Sequence, residues 1–518
     1  MMLRSGGRVL LLWGLAASAS AQADWPMAGQ NLSNTRNQAA EATLGPGNVA
    51  GLEPKWVFTA GSDVSATPAV SGGALYFPDW GGNVFRVDAT TGSAGWTRRL
   101  VDLTGLDKAV SRTTPAVGSD AIYLGTLDGA YLLALGAANG DLRWKTALDP
   151  HRNAIVTQSP VLFQGRLYVG VASKEELMLS LLFGYKCCTF RGSVVAVEAA
   201  TGRIVWRTYM TPDNGGQAGG YSGVAVWGST PVVDAARGSL YVTTGNNYSV
   251  PPEVAACEKA REHDPSLPSC IVPDNHVDAI VALDLQTGAV KWSTKLQGYD
   301  AWNAACFSPK SRPRPNCPDP RGPDYDFGQG VMLLSVPTSG GPRPVLAVGQ
   351  KSGIFWALDP DTGAVLWSHV VGPGGTQGGL QWGSATDGSR IYFAEANSDR
   401  RPHTLEPSGK KTRGGSWGAL DPLTGTILWQ TAVPGGAVAA IGPVSVANGV
   451  VYGGSMAHSG DTMFALDTVS GAILWRFASG GSVASSPAVV DGRLYWGSGY
   501  PHLGVRDNKL LAFAPGLH

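Results

Sequence analysis

One short segment returns seven times along the 518-residue chain, and it limits the possible folds more than any other feature. Its cleanest copy is Ala357-Leu358-Asp359-Pro360-Asp361-Thr362-Gly363-Ala364-Val365-Leu366-Trp367. This reads as the end of one strand, a tight Asp…Thr-Gly turn, and a second strand closing on Trp. Asp accepts bonds from nearby backbone amides and Gly takes positive φ without steric cost, so the segment carries turn chemistry between strands. The other copies close on Trp96, Trp144, Trp206, Trp292, Trp429 and Trp475. An eighth copy is split between the ends: Leu510 to Ala514 resembles the strand before the turn, and Lys55-Trp56 the strand after it. The eight Trp positions, from Trp56 onward, lie 40, 48, 62, 86, 75, 62 and 46 residues apart. A period of about 40–50 residues with four strands per repeat is that of a β-propeller. The expected fold is therefore all-β: an eight-bladed propeller of four-stranded blades, its ring closed by the N- and C-terminal strands. A β-sandwich with coincidental turns does not account for such regularity.

The repeat runs from end to end, so residues 24–518 read as a single propeller domain preceded by a signal peptide over 1–23. Arg4 and Arg8 flank the start, Val9 to Leu15 is apolar, and Ala21-Gln22-Ala23 offers a small-residue cleavage site. That apolar run is too short to span a bilayer, and no other segment reads as a membrane span. An exported protein, periplasmic or extracellular, is expected. Lys+Arg and Asp+Glu are both 39, so no bulk charge argues for nucleic acid or an anionic membrane as partner.

Export places the six cysteines in an oxidising compartment. Cys257 with Cys270, and Cys306 with Cys317, bracket two Pro-rich polar insertions and read as local staples. That leaves the neighbours Cys187-Cys188 as a vicinal disulfide, two free thiols, or partners elsewhere. Cα atoms across a trans peptide are about 3.8 Å apart, closer than in an ordinary disulfide. A vicinal bridge would thus close a stiff ring of the kind found at functional sites. Asn31-Leu32-Ser33 and Asn247-Tyr248-Ser249 are weak glycosylation sequons. The three longest Trp intervals around residues 144–367 mark blades three to five as the expected rim of the site.

Further stretches carry a resemblance: Cys187-Cys188-Thr189-Phe190-Arg191-Gly192-Ser193, Trp227-Gly228-Ser229-Thr230-Pro231, Thr244-Gly245-Asn246-Asn247-Tyr248-Ser249, Asp300-Ala301-Trp302-Asn303-Ala304-Ala305-Cys306 and Gly349-Gln350-Lys351-Ser352-Gly353. With the repeat, they resemble the pyrroloquinoline-quinone (PQQ) dehydrogenases, and within these the polyvinyl-alcohol-dehydrogenase-like proteins. The resemblance implies an alcohol-oxidising enzyme, its substrate a secondary alcohol, polymeric ones included. Hydride would pass to PQQ, and an external cytochrome or quinone would act as electron acceptor. It also implies Trp227 on one face of PQQ and Cys187-Cys188 on the other. Arg112, Thr157 and Ser173 would sit at the carboxylate edge and Lys351 at the quinone carbonyls. Ca²⁺ would be held by Glu176 (or its neighbour Glu175) and Asn246, hard-cation oxygen ligands.

Two departures stand out. The better-known alcohol dehydrogenases carry the vicinal pair one blade earlier. They also have an Asp, the general base, where this chain has Asn303, which accepts no proton. Asp300 is the nearest carboxylate and is the expected base, with Asp324 and Asp326 downstream. The rival expectation is a non-catalytic propeller, a scaffold or binding module of the outer-membrane-assembly kind, because fold alone does not fix function.

Overall fold

The computed structural model describes residues 24–516 apart from 183, 310, 312 and 313; the expected signal peptide lies outside the described residues. Eight antiparallel sheets follow one another around an axis. Blade one is typical: Ala69–Ser71, Ala74–Pro78, Asn83–Asp88 and Ala94–Arg99 pair in chain order. Its two middle strands are largely buried. Its outermost strand is mostly exposed, and Trp96 is the residue there that turns inward. That follows from strand geometry, in which successive side chains alternate between faces. Blade three adds a short piece, Ala154–Ile155, that pairs with Arg166–Ser173.

The repeated segment acts between blades as well as within one. In its index copy, Asp359 Oδ1 accepts from the amides of Asp361 and Thr362 (both 3.0 Å) and from the Thr362 hydroxyl. The register slips by one residue between Ala357 and Leu358, a bulge found at the same place in seven blades. Each repeat Trp then donates its indole N–H to a carbonyl of the following blade, at 2.9–3.3 Å in all eight cases. The ring face lies on that blade's turn glycine. Seven such glycines have φ between +70° and +77°, and a Cβ on any of them would come within 2.4–2.7 Å of the preceding Trp or its neighbouring side chain. Glycine is thus required twice over, by backbone sign and by contact.

The ring closes where the split copy indicated. Leu52–Thr59 pairs antiparallel with Lys509–Pro515 as the outer strand of blade eight, and Trp475 donates to the Leu52 carbonyl. Before reaching that strand, the N-terminal segment runs along the inner strands of several blades. It exchanges backbone bonds with Val70, Val233, Leu333, Thr386 and Val446. All three cystines form as paired in sequence, including Cys187–Cys188, so the free-thiol alternative falls away. The first staple ties the helix Pro252–His263 to its following loop. The second lies on the connection between blades four and five. Asn247 is buried and bonded to Asn275, which closes that sequon to glycosylation. Asn31 keeps only part exposure.

Two measurements probe this frame. Gly363→Ala places a Cβ 2.5 Å from the Trp292 ring at φ +72°, and should cost about 2 kcal/mol, read as a lower denaturation midpoint. His276 is buried, and burial pushes its pKa from 6.5 down to about 4. Between those values the unfolded chain takes up a proton that the folded ring refuses, so stability falls as pH drops from 6.5 toward 4. In His276→Gln that part of the acid limb should flatten by on the order of 2 kcal/mol relative to wild type.

Candidate active site

Where the inner ends of the blades converge, a cavity of about 320 Å³ opens. Much of its lining comes from loops, both between blades (Arg112, Trp227, Asp324, Trp382) and within them (Glu176, Lys351, Tyr500), because there the chain can leave sheet register and turn side chains toward the axis. Trp227 and Trp382 form a corner, with ring centroids 5.4 Å apart and planes at 85°. Lys351 Nζ sits 5.2 Å from the Trp227 ring centre and Arg112 Cζ 4.7 Å from that of Trp382. Both are within cation–π range.

Against Lys351 lies an acidic turn from the connection between blades four and five. Lys351 Nζ pairs with Asp324 Oδ1 at 3.0 Å and with Asp326 Oδ1 at 2.5 Å. Asp326 Oδ2 accepts the Trp227 indole N–H at 2.6 Å, so one carboxylate orients both the cation and the aromatic plane. Glu176 enters from the blade-three insertion. Carboxylate oxygens of Glu176, Asp324 and Asp326 all lie within 4.8 Å of one another. Burial works against the Lys351 ammonium, but the three acids outweigh it and push its pKa up. Burial raises the Glu176 carboxyl to about 8, with Asp326 adding to the rise and Lys351 opposing it. Asp324 is held well above the usual carboxylate range, first by burial. Ionising all three acids beside a single ammonium would leave an excess of negative charge, which is why burial favours the protonated forms of Glu176 and Asp324 and why a bound cation would favour the ionised ones.

Asn246 adds a donor of the right kind. It is 1% exposed; its Nδ2 bonds the carbonyls of Asn247 and Trp302, and its Oδ1 is buried without a hydrogen-bond partner. Such an orphan acceptor needs an explanation. With the carboxylates nearby, it fits an all-oxygen site for a hard cation.

The adjacent glutamates separate cleanly. Glu175 is fully buried and accepts from the amides of Thr189 (3.0 Å) and Phe190 (2.8 Å), and from the Tyr185 hydroxyl. It holds the turn that follows the vicinal cystine, while Glu176 lines the cavity. Arg112, Thr157, Ser173, Trp227 and Lys351 also line it. Neither cysteine does: Cys188 is buried in the core with Phe190 and Tyr248, and Cys187 packs at the edge of that cluster.

Asp300 sits off the cavity. It is 1% exposed and accepts from the amides of Asp324 (3.1 Å) and Tyr325 (2.7 Å). Burial lifts its pKa to about 6 although those amides pull the other way. Asn303 is also structural: its Oδ1 accepts from the Ala305 amide, and its Nδ2 donates to the carbonyls of Tyr248 and Asn316. The carboxylate that reaches the cavity beside Lys351 is Asp324. Its sequence signal was only a downstream Asp-x-Asp, and nothing in the chain marked Trp382 as its neighbour across the axis.

Comparison with known proteins places these features. A family model described as the glucose/ethanol/alcohol dehydrogenase β-propeller domain matches residues 25–308. A second, described as outer membrane protein assembly factor BamB, matches residues 413–515. A polyvinylalcohol dehydrogenase of Sphingopyxis sp. (strain 113P3) is 30% identical over 399 residues, 73% of this chain and 54% of that protein. A quinohemoprotein alcohol dehydrogenase of Comamonas testosteroni is 26% identical over 447 residues, 80% of this chain and 55% of that one. The crystal structure of the quinohemoprotein alcohol dehydrogenase from Comamonas testosteroni superposes with a TM-score of 0.69 at 21% identity. It covers 97% of this chain and 82% of that one. The chain spans about half the length of the curated relatives it matches.

The oxygen-rich pocket generates a direct test. Glu176→Gln should weaken Ca²⁺ binding at least about tenfold by isothermal titration, since it removes one charged ligand. Glu175→Gln should chiefly lower thermal stability.

Proposed function

The chain belongs to the PQQ-type alcohol dehydrogenase β-propeller family, and we propose that it is an exported quinoprotein dehydrogenase oxidising a secondary alcohol. The observation that carries this reading is the meeting of Glu176, Asp324, Asp326 and Lys351 in one axial cavity against the Trp227 ring. When bound, PQQ supplies the two-electron oxidant, and the protein supplies binding, orientation and electrostatics.

Trp227 offers an apolar plane for a flat ring system, fixed in place by Asp326. Arg112 offers a guanidinium to a carboxylate at the edge of that ring system, with Thr157 and Ser173 as hydroxyl partners. Lys351 keeps a permanent positive charge beside the reacting centre. Glu176, the orphan Oδ1 of Asn246 and an oxygen of the acidic turn would hold Ca²⁺. Asp324 takes the proton from the alcohol hydroxyl, because it is the aspartate that lines the cavity, paired with Lys351. Asp300 acts through it, pinning the amides of the turn that carries Asp324. In this reading the base role first expected of Asp300 passes to Asp324. A separate cytochrome or quinone takes the electrons onward.

A polymeric substrate suits the shape of the mouth. A second cavity of about 310 Å³ shares Gln377, Ile441 and Leu503 with the first, and further hydroxyl-bearing units of a chain would lie on that side. The named activity of the polyvinylalcohol dehydrogenase relatives points the same way.

The protein loaded with PQQ and Ca²⁺ should show bound-quinone absorbance and reduce an artificial dye with a secondary alcohol. Asp324→Asn should lower kcat by about 10²-fold or more with quinone still bound, and Asp300→Asn should cost less. Trp227→Ala should weaken quinone binding. A wild-type protein that binds no quinone at all would leave only the scaffold reading.

A further inference from the structure

Beside the axial cavity lies a smaller chamber that the proposed chemistry does not use. It measures about 80 Å³ and adjoins the cavity along Arg112, Thr157, Trp227 and Trp382. Its wall is completed by Arg36, carried inward by the N-terminal segment that runs along the inner strands. Arg36 is 3% exposed and its Nε has no hydrogen-bond partner. Its Nη1 reaches only the Ser486 hydroxyl, at 3.5 Å. Among the described residues no carboxylate lines the chamber. Burial with no opposing charge lowers the Arg36 pKa to about 10, and burial also lowers that of Arg112.

A buried cation without a counter-charge is costly, and the partly buried guanidinium of Arg112, stacked on Trp382, adds a second positive charge to the same chamber. Two hydroxyls of the remaining lining are free to donate. Ser65 Oγ accepts the Trp80 indole N–H at 2.7 Å, and Ser159 Oγ accepts the Thr114 amide at 3.0 Å. Each hydroxyl therefore keeps its own proton to give. The volume exceeds what a single water needs.

We infer that this chamber is a binding site for a small anion, a halide or a carboxylate, held between the guanidiniums of Arg36 and Arg112 and by the hydroxyls of Ser65 and Ser159. The anion is either a free ion from solution or a carboxylate of a cofactor bound next door. The free-ion form of the site stands on its own geometry, and the cofactor form rests on the proposed function.

The test uses the full-length, cofactor-free protein in a buffer whose only anion is a bulky sulfonate, with ionic strength held constant. Adding formate or chloride should raise Tm saturably by a few degrees, as for any ligand that binds the folded state alone. Arg36→Met should abolish the response, and Ser65→Ala should weaken it severalfold. A crystal soaked in bromide should give an anomalous peak in the chamber. If the anion is instead a cofactor carboxylate, the cofactor-free protein will ignore formate and chloride, and Arg36→Met will lose at least tenfold in quinone affinity. No Tm response, no bromide peak and unchanged quinone affinity in Arg36→Met would overturn the inference. Should Arg36→Met fail to fold, the bromide peak and the Ser65→Ala titration decide it alone.

Discussion

Every blade is held to the next by one indole. The Trp at the end of the outer strand donates its N–H to a carbonyl in the following blade's turn and lays its ring on that turn's glycine. The hydrogen bond satisfies a carbonyl that an edge turn would otherwise leave to water, and the ring buries apolar area at the seam. Repeated around the circle, this contact fixes the angle between blades. The angle fixes how many close the ring and where their inner ends meet. One of the eight contacts joins Trp475 of blade seven to Leu52 of blade eight, and inside blade eight the chain's two ends meet as paired strands. The axial cavity exists because these peripheral contacts leave the inner ends of the blades facing one another.

At that axis the protein concentrates what its core avoids. Asp324, Asp326 and Lys351 are all nearly inaccessible to solvent, and such burial is tolerated only where charges are paired or serve a ligand. Two neighbouring glutamates illustrate the difference. Glu175 is buried with its oxygens capped by backbone amides and a hydroxyl, a satisfied structural ion. Glu176, one residue on, has no such partners and faces the cavity. The same contrast separates Asp300, bonded to two amides, from Asp324, which meets a lysine at the cavity wall.

The fold was legible because its determinants are local and periodic. An Asp, a Thr, a Gly and a Trp at fixed spacing state a turn, a bulge and a docking contact, and the split copy at the two ends states the closure. The staples were legible too, since each cysteine pair lies within a short loop. The stretches around Trp227 and Lys351 pointed to residues that do meet in the cavity, whereas Glu176, which joins them there, lay in none of those stretches. Which carboxylate faces the cavity beside Lys351 was not legible. Asp300 and Asn303 sit in the recognisable stretch, yet Asn303 is spent on bonding the carbonyls of Tyr248 and Asn316. The insertion stapled by Cys306–Cys317 separates that stretch from the acidic turn that reaches the axis.

Reading the repeat along the chain was thus enough for the ring itself: the number of blades and the way it closes. Those follow from short-range rules repeated eight times. Only the tertiary structure decided which of several nearby carboxylates meets Lys351, which glutamate of a pair turns inward, and that Arg36 reaches the centre. Those choices depend on how loops from blades far apart in sequence pack against one another, and the spacing of residues along a chain does not encode that direction.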